Sequence, residues 1–156
     1  MKAILIHRQT AESPISGGLT IVPSSAMVMP GKPLFLPDFG ENWTATPHTA
    51  YRLCRLGKTI DAKFANRYVD ASTTVWLVRP TSSEVPVSVM AAADYSMVVN
   101  EFQPITLTEA DTICRTISDL SSYMTLQMGD IIVDAQPSSE AFALTRGADI
   151  NGIRVR

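Results

Sequence analysis

The stretch Arg52–Ala71, RLCRLGKTIDAKFANRYVDA, decides how the chain is read. It begins in a strand-like run and turns at "RLGK", Arg55–Lys58. Past the turn, Asp61 stands where a helix N-cap belongs, and Ala62, Ala65, Tyr68 and Val69 recur at helical spacing beside Phe64. The β-branched run "STTVWLV", Ser72–Val78, then returns the chain to a strand. Just upstream, "TATPHTAYRLCRLGK" (Thr44–Lys58) carries a basic second half, the lone histidine His48 and no carboxylate. Pro47 has no N–H to give a sheet ladder, so this strand is expected to fray or to begin there.

Outward from this unit, short apolar runs alternate with turn signals. "AILI" (Ala3–Ile6), "LTIV" (Leu19–Val22), "AMVM" (Ala26–Met29) and "PLFL" (Pro33–Leu36) are set off by "SPISGG", "MPGKP" and "LPDFGEN". "VPVSVM", Val85–Met90, reads as another strand, and "MTLQMGDIIVDAQP" as strand, tight turn at Gly129–Asp130, and strand from Ile131. A second helix is expected in "TLTEADTICRTISDLSSYM". Thr106 and Glu109 have the form of a capping box, and Ala110, Ile113, Cys114, Ile117, Leu120 and Met124 line one face. The chain is therefore expected to be α+β and β-rich, with about two helices covering a mixed sheet or capping a distorted barrel.

At 156 residues and 46% hydrophobic, the chain is expected to be a single domain spanning 1–156 with a real core. A net charge of -2 with no basic run argues against nucleic acid. No apolar run approaches the ~20 residues of a membrane span. Cys54 and Cys114 are too far apart for a metal or disulfide framework, and "MKAILIHRQT" reads as a first strand rather than a leader. The expected location is cytoplasmic.

The residues alone point to little chemistry. No nucleophile elbow, phosphate loop or C-x-x-C is present. His7 and His48 lack a second ligand at helical spacing. Asp61, Glu109 and Asp111 suit helix caps, and Asp38 and Asp130 suit turns. No strand carries E-x-E, which would project two carboxylates to one face as a hard cation requires.

The order of several segments resembles the fumarylacetoacetate hydrolase family, near its acylpyruvate hydrolase-like branch and its C-terminal domain. The segments are "MKAILIHRQTA", "VPSSAMVMPGKPLFLPDF", "RLCRLGKTIDAKFANRYVDA" and "YMTLQMGDIIV". The resemblance implies a β-rich fold, a homodimer, and a Mg²⁺ or Mn²⁺ site. In that chemistry the metal chelates a β-diketo acid and stabilises its enolate while a His–Glu pair activates water.

Carried over residue by residue, that machinery is missing. The metal-binding E-x-E falls on Thr46 and His48, and the third acidic ligand on Leu77. The H-x-x-E pair falls on Ser13 and Ser16, a lysine on Val22, and the "TGTP" segment on Asp134–Pro137, which includes Gln136. A longer family segment, with a lysine and an acidic motif, is shortened here near residues 80–98. The resemblance therefore implies a divergent, non-catalytic scaffold or binding protein, for which no metal cofactor is expected. Two alternatives stay open. One is a hydrolase or decarboxylase of altered chemistry using Ser13, Ser16, Thr46, His48, Asp134 and Gln136. The other is a module that binds a small carboxylate without turnover.

Overall fold

A computed structural model of the protein describes residues 1–7, 15–82 and 84–156. Among these residues, nine strands share one sheet: β1 (Lys2–Ile6), β2 (Leu19–Pro23), β3 (Met27–Val28), β4 (Glu41–Leu53), β5 (Val69–Ser82), β6 (Met97–Val99), β7 (Gln103–Pro104), β8 (Ile131–Pro137) and β9 (Phe142–Ala143). Strands β10 (Asp149–Ile150) and β11 (Ile153–Arg154) form a separate hairpin. The α-helices are α1 (Val87–Ala92) and α2 (Thr112–Tyr123).

The sheet runs β2-β1-β8-β4-β5-β6-β3, with β7 against β5 and β9 against β4. Its two end strands, β2 and β3, are joined only by the 3-10 turn Ser24–Ala26. At ~3.3–3.6 Å per residue such a link reaches only roughly 10–15 Å. The sheet must therefore curl until its ends nearly meet, and it forms a barrel with one seam. Two of its pairings, β1–β8 and β3–β6, are parallel and the rest antiparallel, so the mixed, β-rich barrel expected from the sequence is what forms.

Alternation along the strands sorts the core into an inner and an outer face. Ala3, Leu5, Val22, Ala50, Val75, Leu77, Met97, Ile131 and Val133 fill the inside. On the outside, Ile4, Ile6, Leu53 and Ile132 are covered by Ile113, Cys114, Ile117 and Leu120 of α2. Further along, Trp43, Ala45, Val78 and Val98 pack with Met90 of α1 and Ile150, Ile153 and Val155 near the terminal hairpin.

Two retained motifs are explained by packing. Gly57 of "RLGK" exchanges backbone hydrogen bonds with Leu126, and a Cβ there would lie 2.7 Å from Ile60 Cδ1 and 2.7 Å from Tyr68 Cε1. After Gly129, whose φ of 91° suits glycine, the buried Asp130 carboxylate accepts from Lys2 N–H (3.2 Å), Lys2 Nζ (2.6 Å) and Gln127 N–H (2.9 Å). It ties the first strand to the turn preceding β8.

Several local expectations fail for identifiable reasons. Strand β4 runs through Pro47 without fraying. Pro47 C=O accepts from Ser138 N–H, so the missing N–H points to that same side. There the β4–β8 register is already broken, and only the intact β4–β5 ladder needs donors. Val85–Met90 is not a strand, because the Pro86 carbonyl accepts from Val89 and Met90 N–H and starts α1. Pro33–Leu36 contributes only a bridge from Leu34 to Val155. Residues Ala62–Tyr68 form a 3-10 rather than an α-helix, although Asp61 does cap it, accepting from Lys63 N–H. The greater rise per residue, ~2 Å against 1.5 Å, suits a short link between two long strands. The Thr106–Glu109 box is replaced by a turn in which Asp111 Oδ2 accepts from Thr108 N–H at 2.6 Å. Helix α2 therefore starts after Asp111 and leaves Ala110 exposed. Of the two thiols, Cys114 is buried and Cys54 only half-buried.

Candidate functional site

Thr46 and His48 alternate on β4, which puts both on the inner face of the barrel. In the β4–β5 register Thr46 stands opposite Leu77, His48 opposite Val75 and Thr44 opposite Arg79. The residues expected to replace the metal ligands therefore do converge. Exposure rises towards one end of this double row: Ala50 and Val75 are fully buried, His48 is 5% and Leu77 8% exposed, and Thr46, Thr44 and Arg79 are half-buried. That end is the mouth of the barrel.

Leu77 belongs to a buried apolar cluster. It is packed with Val22, Ala91 and Met97, and the side chains of Met27 and Met29 lie against the same cluster. Val22, the position of the implied lysine, thus joins Leu77 as core.

His48 Nδ1 lies 2.7 Å from the Asp134 carbonyl oxygen. A carbonyl only accepts, so Nδ1 carries the proton and donates. Burial pushes the His48 pKa down; the Asp134 carbonyl and charge oppose this, and the Arg79 charge adds to it. The ring is thus held as a neutral imidazole. The register steps from His48–Pro137 to Ala50–Val133, so Asp134, Ala135 and Gln136 bulge against Thr49 alone. That bulge, at the implied "TGTP" position, brings the carbonyl to the histidine.

Other expected residues lie elsewhere. Ser13 falls outside the described residues. Ser16 is exposed in the turn before β2. Asp134 lines a small outer cavity with Ile6, Tyr51, Thr112 and Thr116 beneath α2. Gln136 is exposed, its backbone N–H donating to Asp134 Oδ1 at 3.0 Å.

The residues present do not fit a Mg²⁺ or Mn²⁺ ion. Such ions take hard oxygen ligands in octahedral array. Leu77 offers no donor, Thr46 a neutral hydroxyl, and His48 has Nδ1 committed to a carbonyl. Among the described residues, no three His, Cys, Asp or Glu side chains come together. The nearby positive charge of Arg79 also opposes a cation.

Sequence reasoning missed two features. One is Arg79, whose Nη1 donates to the carbonyls of Val78 (2.8 Å) and Ser96 (2.9 Å). The other is an open cavity of about 590 Å³, lined by Thr49, Thr73, Thr74, Asn100, Glu101 and Asn151, with none of the carried-over ligand positions in its wall.

Solved structures share this arrangement of strands. A protein from Yersinia pestis CO92, assigned to the fumarylacetoacetate hydrolase family, superposes with a TM-score of 0.73 at 17% identity, over 99% of this chain and 92% of that one. The fold is that of the fumarylacetoacetate hydrolase family. A 2-hydroxyhepta-2,4-diene-1,7-dioate isomerase from Mycobacterium marinum gives 0.73 at 17% identity, over 94% of this chain and 67% of the other. For a 5-carboxymethyl-2-hydroxymuconate delta-isomerase from Mycobacterium smegmatis the values are 0.69, 17%, 94% and 69%. No family model matches the sequence, and no curated protein does so significantly. At this identity the family likeness is one of fold. Among the described residues, no helix is long and apolar enough to cross a membrane.

Proposed function

We propose that the protein is a shortened, divergent fumarylacetoacetate hydrolase family member that has lost metal-dependent C–C bond hydrolysis and acts as a scaffold or binding protein. The observation that carries this reading is Leu77. It lies opposite Thr46, where the family resemblance implies an acidic ligand, and its side chain belongs to the packed interior. Neither a metal nor a diketo acid chelated to it has room or donors there. On this reading the chain is one family-like domain over 1–156, with α1 standing in the segment shortened near 80–98.

Self-association as a cytoplasmic homodimer goes with the scaffold reading. It is supported by an apolar surface in which Phe35, Phe39, Val87 and Val89 are all exposed, with grooves along Phe39 and α1. Light scattering after size exclusion measures it, and a monomer at tens of micromolar removes it. A second reading, a small-molecule module without turnover, is favoured by the 590 Å³ polar cavity.

Calorimetric titration with Mg²⁺ and Mn²⁺, run beside an acylpyruvate hydrolysis assay, tests the main proposal. No stoichiometric heat and no metal-restored turnover are expected. Either signal overturns it.

A further inference from the structure

We infer that the open cavity on the outer face of the barrel takes a small, neutral polyhydroxyl molecule, a sugar or a cyclic polyol, held by a row of side-chain hydroxyls and amides. This rests on the binding-module reading above and deepens it by naming the ligand class. It does not depend on the inner face, where the metal question lies.

The first support is the place of the cavity in the sheet. In the β4–β5 register Thr49 stands opposite Thr74, and Ser72 is the next residue of β5 on that face. Asn100 follows β6, and its backbone N–H donates to the Thr74 carbonyl at 3.2 Å. Thr49, Thr74 and Asn100 thus form one row across three neighbouring strands, and all three line the cavity. To one side of the row, Trp43, Ala45, Val78 and Val98 pack with α1 and the residues of the terminal hairpin. To the other, Leu53 and Ile132 lie under α2. The row is a polar window between two apolar covers, at positions where the strand alternation calls for further apolar side chains.

The second support is the chemistry of the wall. Thr49, Ser72 and Thr74 bring hydroxyls, Asn100 and Asn151 amides, and Glu101 a carboxylate. A hydroxyl both donates and accepts, and an amide presents a group of each kind. A sugar or polyol has the same two capacities at every hydroxyl, so each wall group finds a counterpart. The carboxylate accepts through two oxygens, which suits a vicinal pair of hydroxyls. An anion in the same place would meet Glu101, the one charged residue among the described lining residues.

The third is preorganisation. Thr73 Oγ1 donates to the Glu101 carbonyl at 3.0 Å and holds that segment against β5. Across the cavity, Asn151 and Gly152 both have left-handed backbone, with φ of 50° and 87°, as a tight two-residue hairpin turn requires. Gly152 N–H donates to Asp149 Oδ1 at 2.7 Å and fixes that turn. Wall groups held in advance lose little freedom on binding. The volume of about 590 Å³ falls within the ~300–1,000 Å³ of small-molecule sites.

The test titrates the isotope-labelled parent chain with glucose, galactose, ribose and myo-inositol at millimolar concentrations. It follows the Thr49 and Thr74 methyl resonances and the Asn100 side-chain amide. Saturable shifts at these positions with at least one of the polyols are expected. Thr49→Val combined with Thr74→Val removes two half-buried hydroxyls and keeps the side-chain shape, so Tm should not fall while affinity drops at least about tenfold. No saturable binding by any of the polyols overturns the inference, as does undiminished binding by the folded double variant. Shifts at the same positions that follow protein concentration in the absence of ligand also overturn it, because a second copy then covers this face. The resonances of the parent chain decide the matter even when the double variant does not fold. Acetate and n-butylammonium, titrated in parallel, separate the failures. If either moves these resonances and no polyol does, this inference falls and the binding-module reading stands; if nothing moves them, both fall.

Discussion

Rebuilding the metal ligands tests the residue correspondence most directly. The variant is Thr46→Glu, His48→Glu and Leu77→Asp. Thr46 and Leu77 are directly opposite across an antiparallel pair, so their Cβ atoms are ~4.5–5.5 Å apart, and position 48 is the next inward residue on β4. Three carboxylates would thus project into one space at the mouth. Without metal the variant should be markedly weaker. Removing buried Leu77 alone forfeits about 2–3 kcal/mol of apolar burial, and uncompensated carboxylates at its place add to that. A loss of roughly 3–5 kcal/mol at ~2–4 °C per kcal/mol for a chain of this size lowers Tm by about 6–20 °C. Mg²⁺ or Mn²⁺ at about a hundred times its Kd should return ~2.7 kcal/mol, some 5–10 °C. The assay is a thermal melt with and without metal, paired with calorimetry. Leu77→Asp alone should show the loss without the recovery, and the parent should show neither. A folded triple variant that gains no metal-dependent Tm shift refutes the placement of the ligand positions on Thr46, His48 and Leu77.

Two further perturbations follow from the geometry. The folded pKa of His48 is depressed, so as pH falls through its ordinary value near ~6.5 the unfolded chain takes up that proton first; stability should then decline as pH falls below that value, by at most about 1.4 kcal/mol per unit, and His48→Gln should flatten that slope in denaturant titrations. Asp130→Asn should cost about 3–5 kcal/mol in the same measurement, because the 1% exposed side chain would lose the charge that Lys2 Nζ pairs with and would turn an NH₂ group towards at least one of the donors its two oxygens now accept from, and a loss under about 1 kcal/mol would refute its tying role.

Much of this was legible in the chain itself. Ala3–Ile6, Leu19–Val22 and Ser72–Val78 announced their strands by β-branched runs, and Ile113–Leu120 its helix by period. What failed was local preference overridden by neighbours. Val85–Met90 looks extended by composition, but one proline carbonyl caps a helical turn there. Pro47 looks like a strand break, but its missing donor faces a register fault. The convergence of Thr46, His48 and Leu77 was legible only through the order of motifs, because their separation in sequence hides a direct cross-strand pairing. Arg79 carried no signal at all: "LVRP" gives no sign that its guanidinium is tied to the Val78 and Ser96 carbonyls until β5 and β6 are paired.

The placement of β8 has a consequence for how the molecule comes into being. Lys2 and Asp130 lie 128 positions apart, and β1 reaches the rest of the sheet through β8. As the chain leaves the ribosome, β4, β5 and β6 can zip together early, since each follows the last at short range. The β1–β2 hairpin, made far earlier, has no mate until Ile131–Val133 emerge. Its apolar edge is therefore exposed for most of synthesis, and closure of the barrel waits on a parallel pairing of large loop entropy, the slow kind. Nascent chains stalled before β8 should be the ones that chaperones hold and proteases clear.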